Sequence, residues 1–231
     1  MGISFVRRLV ESAWEKFWIL SKNPAAEKYR DRQIVALLTR LPWNEGWGVD
    51  LGGRDGRHGA ALGARVVTPD WNPQRGGGSI LLQADVHALP IRSESIRFAF
   101  SISLLELLRD GERFLQETRR ILEPGAPFLL TIPNFRSPHF FFWFFRDVLL
   151  RGMAVHQRRY HREEVLHLLR RSGLDLLQSG GFIFLPFSLL EHLPGPLLAF
   201  FSRLDQSSWP RANPSWCSYY YFLAVRREDA A

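Results

Sequence analysis

Cysteine is almost absent from this chain of 231 residues: Cys217 is the only one. A disulfide framework is therefore excluded, a zinc cluster cannot be built, and a reducing compartment is the expectation. Lysine is nearly missing as well. Lys16, Lys22 and Lys28 are the only three among thirty basic residues, and the arginines that make up the rest are scattered rather than run together. The net charge of +7 thus points to no nucleic-acid partner, since binding nucleic acid calls for clustered basic side chains. Long apolar runs are missing too. The longest aromatic block, Phe140 to Phe145, falls far short of the ~20 apolar residues that a bilayer requires. Glu11, Glu15 and Lys16 interrupt any apolar stretch near the start, so a signal peptide is not expected and a cytoplasmic protein is. Repeats and low-complexity tracts are absent.

Two nucleotide signatures are also lacking. No window between 46 and 63 carries the G-x-G-x-x-G spacing of a dinucleotide loop, and no Gly-Lys-Ser/Thr occurs anywhere. What is present is a glycine turn, Gly48-Val49-Asp50-Leu51-Gly52-Gly53-Arg54-Asp55-Gly56, running from an apolar strand end into a helix. Glycines there allow tight turns and close approach of backbone to a ligand.

The first forty residues read as two helices. Residues 3 to 20 are amphipathic, with Phe5, Leu9, Trp14, Phe17 and Trp18 among the apolar positions. Residues 25 to 41 form a second helix that Pro42 stops. Residues 1–42 are therefore expected to cap the domain that follows, 43–231. An alternative use of 3–20 is peripheral contact with a membrane surface. From Trp47 short strands alternate with helices: strands at 47–51, 64–68, 79–83, 95–102 and 127–132, and a helix near 111–122. Such alternation implies a Rossmann-like, doubly wound α/β sheet with its ligand at the carboxyl ends of the strands. Further on, helices are expected at 137–150 and 162–172, strands at 174–178 and 216–226, and a proline-punctuated apolar stretch over 185–205.

Carboxylates stand at three successive strand ends: Asp50, Asp70 and Asp85. An acid after the second strand suits the two hydroxyls of a ribose, and one after the third can accept from an exocyclic amine. Each alone reads equally as a solvated loop residue or a helix cap.

With these residues in view, the chain resembles the class I S-adenosylmethionine-dependent methyltransferases of the small-molecule type called type 11. Asp50 to Gly56 is similar to their Asp-x-Gly-x-Gly-x-Gly motif. Gly63 to Asp70 resembles their second strand and ribose-binding acid, and Gln83 to Ile91 their Asp-Ala-x-x-Leu-Pro-Phe signature. Glu117 to Gly125, Thr131 to Asn134, and His156 through Tyr160 to Leu174 are similar to later blocks. The resemblance implies a seven-stranded sheet with an antiparallel last strand. It also implies S-adenosylmethionine as cofactor, with Asp50, Gly52, Gly53, Arg54, Gly56, Asp70, Trp71, Asp85, Val86 and Ser101 in its site and Ser103 lining the methyl-transfer position. No metal is implied.

Two departures stand out. Arg54 replaces a motif glycine, where its side chain could intrude on the cofactor, pair with the cofactor's carboxylate or point into solvent. The run Leu105-Glu106-Leu107 lacks the histidine often found there. Candidate bases are His156 and Tyr160, with His161 beside them. The function implied is methyl transfer to oxygen or carbon of a small, hydrophobic or lipid-like acceptor, received by lid segments at about 134–160 and 185–215. The competing reading is a degenerate methyltransferase fold that binds or scaffolds without catalysis.

Overall fold

The computed structural model describes residues 24–40, 46–63, 65–74, 79–138, 158–185 and 193–228. The expected helices over 3–20 and 137–150, the phenylalanine block and His156 lie wholly or largely outside these residues.

In chain order the elements are α1 (Pro24–Leu38), β1 (Trp47–Asp50), α2 (Arg57–Ala61), β2 (Arg65–Asp70), β3 (Ile80–Gln83) and β4 (Phe98–Ile102). Next come a 3-10 turn (Leu105–Leu107), α3 (Gly111–Ile121), β5 (Pro127–Pro133), α4 (Arg162–Arg171) and β6 (Leu174–Phe182). Last are α5 (Gly195–Gln206), α6 (Trp209–Ala212), a 3-10 turn (Pro214–Trp216) and β7 (Tyr219–Arg226).

The strands form one seven-stranded sheet in the order β3-β2-β1-β4-β5-β7-β6. β1 to β5 pair in parallel, and β7 runs antiparallel to both β5 and β6. The sheet is doubly wound because side chains alternate across each strand and both faces are apolar. On one face Val49, Ala99, Phe128, Leu130 and Phe222 pack with Phe114, Leu115 and Val165 of α3 and α4. On the other face Phe98, Phe100, Leu129, Tyr219 and Tyr221 pack with Tyr29, Ile34 and Leu38 of α1 and Leu198 of α5. At about 25 cal/mol per Å² of apolar area removed from water, these two layers dominate the favourable side of folding.

Two elements differ from the sequence reading. β6 was expected to stop at Gln178 but continues to Phe182 through Gly180 and Gly181. Those glycines are places of close packing rather than a turn: a Cβ on Gly180 would lie 2.8 Å from the Tyr221 ring, and one on Gly181 2.7 Å from Cys217. The apolar stretch at 185–205 contains α5, which begins with Pro196 in its first turn, where proline's missing N–H costs nothing. Among the described residues no helix is long and apolar enough to cross a membrane.

Candidate active site

β1 ends at Asp50, and the chain reverses over the carboxyl ends of its neighbours. Leu51 N–H donates to the Phe100 carbonyl of β4 (2.9 Å), and Gly52 N–H to the Pro69 carbonyl of β2 (2.9 Å). Gly52 and Gly56 take positive φ, +72° and +69°. Arg54 does so too, with φ +52°, a conformation that costs a non-glycine residue ~1–2 kcal/mol. Neighbours hold it there. Its N–H donates to Asp70 Oδ2 (3.2 Å), and its carbonyl accepts from Gln74 N–H (2.8 Å). Arginine here takes a positive φ that glycine would adopt without strain.

The three strand-end acids have different surroundings. Asp50 is buried (1% exposed), and neither carboxylate oxygen has a hydrogen-bond partner. Burial, then the charges of Asp55 and Asp70, push its pKa up to about 8. Gly53 is tied to it, because a Cβ there would stand 2.2 Å from the carboxyl group. Asp70 accepts one backbone N–H on each oxygen, from Arg54 (3.2 Å) and Asn72 (2.8 Å). One lone pair per oxygen is left for another donor. Asp85 is half exposed; its Oδ1 accepts from the His87 N–H (2.9 Å) and lies 2.7 Å from His87 Nδ1. Those contacts, the backbone N–H first, hold its carboxyl below the usual range. The Asp85–Ile91 loop is pinned from α3: Glu117 accepts from Leu89 N–H, and Arg120 donates to the Leu89 and Ile91 carbonyls. Val86 is buried in this loop, while Trp71, after β2, is 76% exposed.

The glycine turn borders a cleft of about 260 Å³. One wall is the turn: Gly52, Gly53 and Arg54. The facing wall is apolar, formed by Ile34, Ile102, Phe182, Ile183 and Tyr219, with Ser103 between the two. Arg57, also lining the cleft, pairs with Asp55 (2.7 Å) and Asp31 (3.2 Å). The Arg54 side chain is exposed and has no carboxylate partner among the described residues. Ser101 does not face the cleft with a free hydroxyl; it donates to the Leu51 carbonyl (3.2 Å) and braces the turn. Of the residues expected to hold the cofactor, Gly52, Gly53 and Arg54 line the cleft; Asp50 is buried behind the turn, Asp70 is tied to Arg54 N–H outside the lining, and Asp85, Val86 and Trp71 lie on the loops after β2 and β3.

Tyr160 goes elsewhere. It is buried (2% exposed) in the core layer under α3 and α4, where a Cβ on Gly111 would meet its hydroxyl at 2.6 Å. Burial raises its pKa, and the Arg158 guanidinium lies 4.7 Å from its ring centre. Tyr160 and His161 line a second cavity beyond β5 rather than the glycine cleft. Sequence reasoning passed over Glu106 as an acid. It is 1% exposed, Oε2 has no partner, and burial lifts its pKa to about 8. Its signal was a charged residue between two leucines where a solvent-facing turn would not need one.

Residues 53–130 match the family model described as a methyltransferase domain. About a third of the chain is thus similar to that family. The whole chain is similar in fold to an S-adenosylmethionine-dependent methyltransferase from Thermotoga maritima: 18% identity, 96% of this chain and 97% of that one, TM-score 0.66. It is similar also to one from Mesorhizobium loti, with 21% identity over 83% and 96% of the chains and TM-score 0.56. A third is a geranyl diphosphate C-methyltransferase from Streptomyces coelicolor, solved with Mg2+, geranyl diphosphate and S-adenosyl-L-homocysteine (15%, 84% and 77%, TM-score 0.58). A search of curated proteins finds no significant match. The matched stretch begins inside the glycine turn at Gly53 and includes Asp70, Asp85 and the α3–β5 connection, while Asp50 and Gly52 lie just before it.

Proposed function

We propose that this chain binds S-adenosylmethionine in the glycine cleft and transfers its methyl group to oxygen or carbon of a small, hydrophobic or lipid-like acceptor. The observation that carries the reading is Arg54 in glycine's own backbone conformation, with its N–H on Asp70. The motif's one sequence defect leaves its shape intact, which favours a working site over a degenerate one. The residues present fit the cofactor. Asp70 keeps acceptor capacity for two ribose hydroxyls, and the Asp85–Val86 loop offers a carboxylate and backbone to an adenine, with Trp71 exposed beside it. The backbone of Gly52 and Gly53 leaves room for the methionine part. Arg54, which has no carboxylate partner among the described residues, is assigned to the cofactor's own carboxylate. Bound there, S-adenosylmethionine supplies a methyl group activated on a sulfonium.

Transfer of such a group is a displacement, so the chain's work is alignment and the exclusion of water. Ser103 and the apolar wall of Ile102, Phe182, Ile183 and Tyr219 would hold the acceptor, and that wall supports a hydrophobic one. His156 remains the proposed proton acceptor; Tyr160 lies in the core layer and lines the cavity beyond β5, not this cleft. With its pKa raised by burial, Tyr160 is also a poor base at neutral pH.

Calorimetry with S-adenosylmethionine tests this. Saturable binding is expected, and no heat at high-micromolar ligand overturns the reading. Arg54→Gly is expected to weaken S-adenosylmethionine about tenfold while leaving 5′-methylthioadenosine, which lacks the carboxylate, unchanged. If both ligands instead bind more tightly, Arg54 is an obstruction.

A further inference from the structure

Beyond the carboxyl end of β5, on the opposite side of the sheet from the glycine cleft, lies a second cavity of about 400 Å³. Asn134, Arg136, His161, Arg162, Ser215 and Tyr220 line it, with Phe135 and Tyr160 as aromatic surfaces and Glu163 as its one acid. Its frame is rigid. Asn134 Nδ2 donates to the carbonyls of Cys217 (2.9 Å) and Ser215 (3.2 Å), and its Oδ1 accepts from Arg136 N–H (3.0 Å). Together these fasten the exit of β5 to the turn before β7.

The donors are the informative part. Among the described residues Arg136 has no carboxylate partner, and Arg162 donates only to the Ser179 hydroxyl (2.8 Å). α4 starts at this cavity. Glu164 caps the His161 N–H (2.7 Å), whereas the first-turn amides of Arg162 and Glu163 meet no acceptor. The Tyr220 hydroxyl, which accepts from Ser215, adds a donor from a third direction. A planar carboxylate presents two oxygens and would leave several of these donors unmet. A tetrahedral phosphate presents oxygens toward all three sides, and guanidinium groups bind it by paired hydrogen bonds.

We propose that this cavity binds a phosphate or diphosphate group. On the methyltransferase reading, on which this last step rests, that group is the anionic end of the acceptor. Tyr219 and Tyr220 are adjacent in β7, one lining the glycine cleft and the other this cavity, about 3.8 Å apart along the chain. Their side chains leave β7 on opposite faces of the sheet, so an acceptor with its apolar body in the cleft and a phosphorylated end here bends over the sheet's end at Pro133 and Tyr219 to reach both.

The test is titration of the full chain at physiological salt with inorganic pyrophosphate and with a short-chain alkyl diphosphate, monitored by calorimetry. Arg136→Gln/Arg162→Gln is compared with Arg32→Gln/Arg203→Gln, which lowers the net charge equally on exposed helix positions. Binding of both probes to the wild type, weakened about tenfold or more only in the Arg136/Arg162 pair, with the unfolding temperature unchanged, is the expected result. Tighter binding of the alkyl ester would mark the ligand as an acceptor's end rather than free phosphate. No binding to the wild type, equal loss in both variants, or binding only to vesicles containing phosphatidic acid overturns the proposal. Titration with S-adenosylmethionine in parallel keeps the two readings apart: its failure removes the methyltransferase reading and leaves the pyrophosphate result to decide this site.

Discussion

At the β1–β2 end of the sheet the cleft wall is mostly backbone; at the β6–β7 end the structure is held and lined by side chains. Around Asp50 the shape comes from positive φ at Gly52, Arg54 and Gly56 and from amide-to-carbonyl bonds to β2 and β4. At the other end one buried hydrogen bond, from the Tyr29 hydroxyl of α1 to Asp205 of α5, ties the helices over Phe184, whose N–H Asp205 also accepts (2.8 Å). A backbone-built site tolerates most side chains, as Arg54 shows, but no added Cβ where space has been used. A side-chain-built site tolerates backbone variation and fails on single truncations.

The largest effect is expected from Gly56→Ala. Its Cβ would meet Ser79 Cβ at 2.6 Å in a left-handed conformation, costing about 2–4 kcal/mol in chemical denaturation and weakening S-adenosylmethionine. A loss below about 1 kcal/mol would mean that the turn rearranges freely, and the contrast between the two ends would collapse.

Tyr29→Phe comes next. It leaves an Asp205 oxygen unmatched in a buried place, and about 1–3 kcal/mol of stability should go, with cofactor affinity retained. Unchanged unfolding would show that the β6–β7 end does not depend on this pair.

A pH-dependent effect, read as a slope rather than as a single loss, separates the buried acids Asp50 and Glu106 from the rest. Unfolded, Asp50 and Glu106 ionise near 3.8 and 4.5; folded, both hold protons to about 8. The folded state therefore binds more protons between those values. Stability falls as pH rises from about 4 to about 8, by at most ~1.4 kcal/mol per unit for each group. Asp50→Asn and Glu106→Gln should each flatten the denaturation midpoint's decline between pH 5 and 8. A decline as steep as the wild type's in both variants would assign it to other groups.

The smallest effect on folding is expected from Trp71→Ala, within about 0.5 kcal/mol because the side chain is 76% exposed. Cofactor affinity should drop several-fold if the ring covers the adenine. Equal affinity would take Trp71 out of the site.

Much of the glycine end was legible in the sequence. Glycine spacing and acids at successive strand ends are local signals, because a strand end and its turn are specified by neighbouring residues. The order of Asp50, Asp70 and Asp85 carried over to the carboxyl ends of β1 and β2 and the loop after β3. Much less was legible beyond β5. The strand expected to end at Gln178 runs on through Gly180 and Gly181 because the Tyr221 ring and Cys217 that need the space arrive from distant parts of the chain. Tyr160 looked like a base, but packing against Gly111 put it in the core.

By itself the sequence determined the strand–helix alternation, the nucleotide-type turn and the acids around it, since these follow from periodicity and from what glycine and carboxylate groups can do locally. Tertiary structure alone decided that Arg54 adopts a positive φ, that Asp50 and Glu106 lose water and keep their protons, and that Arg136 and Arg162 line one cavity. Each of those outcomes depends on burial or on contact between residues remote in sequence, and no local pattern encodes either.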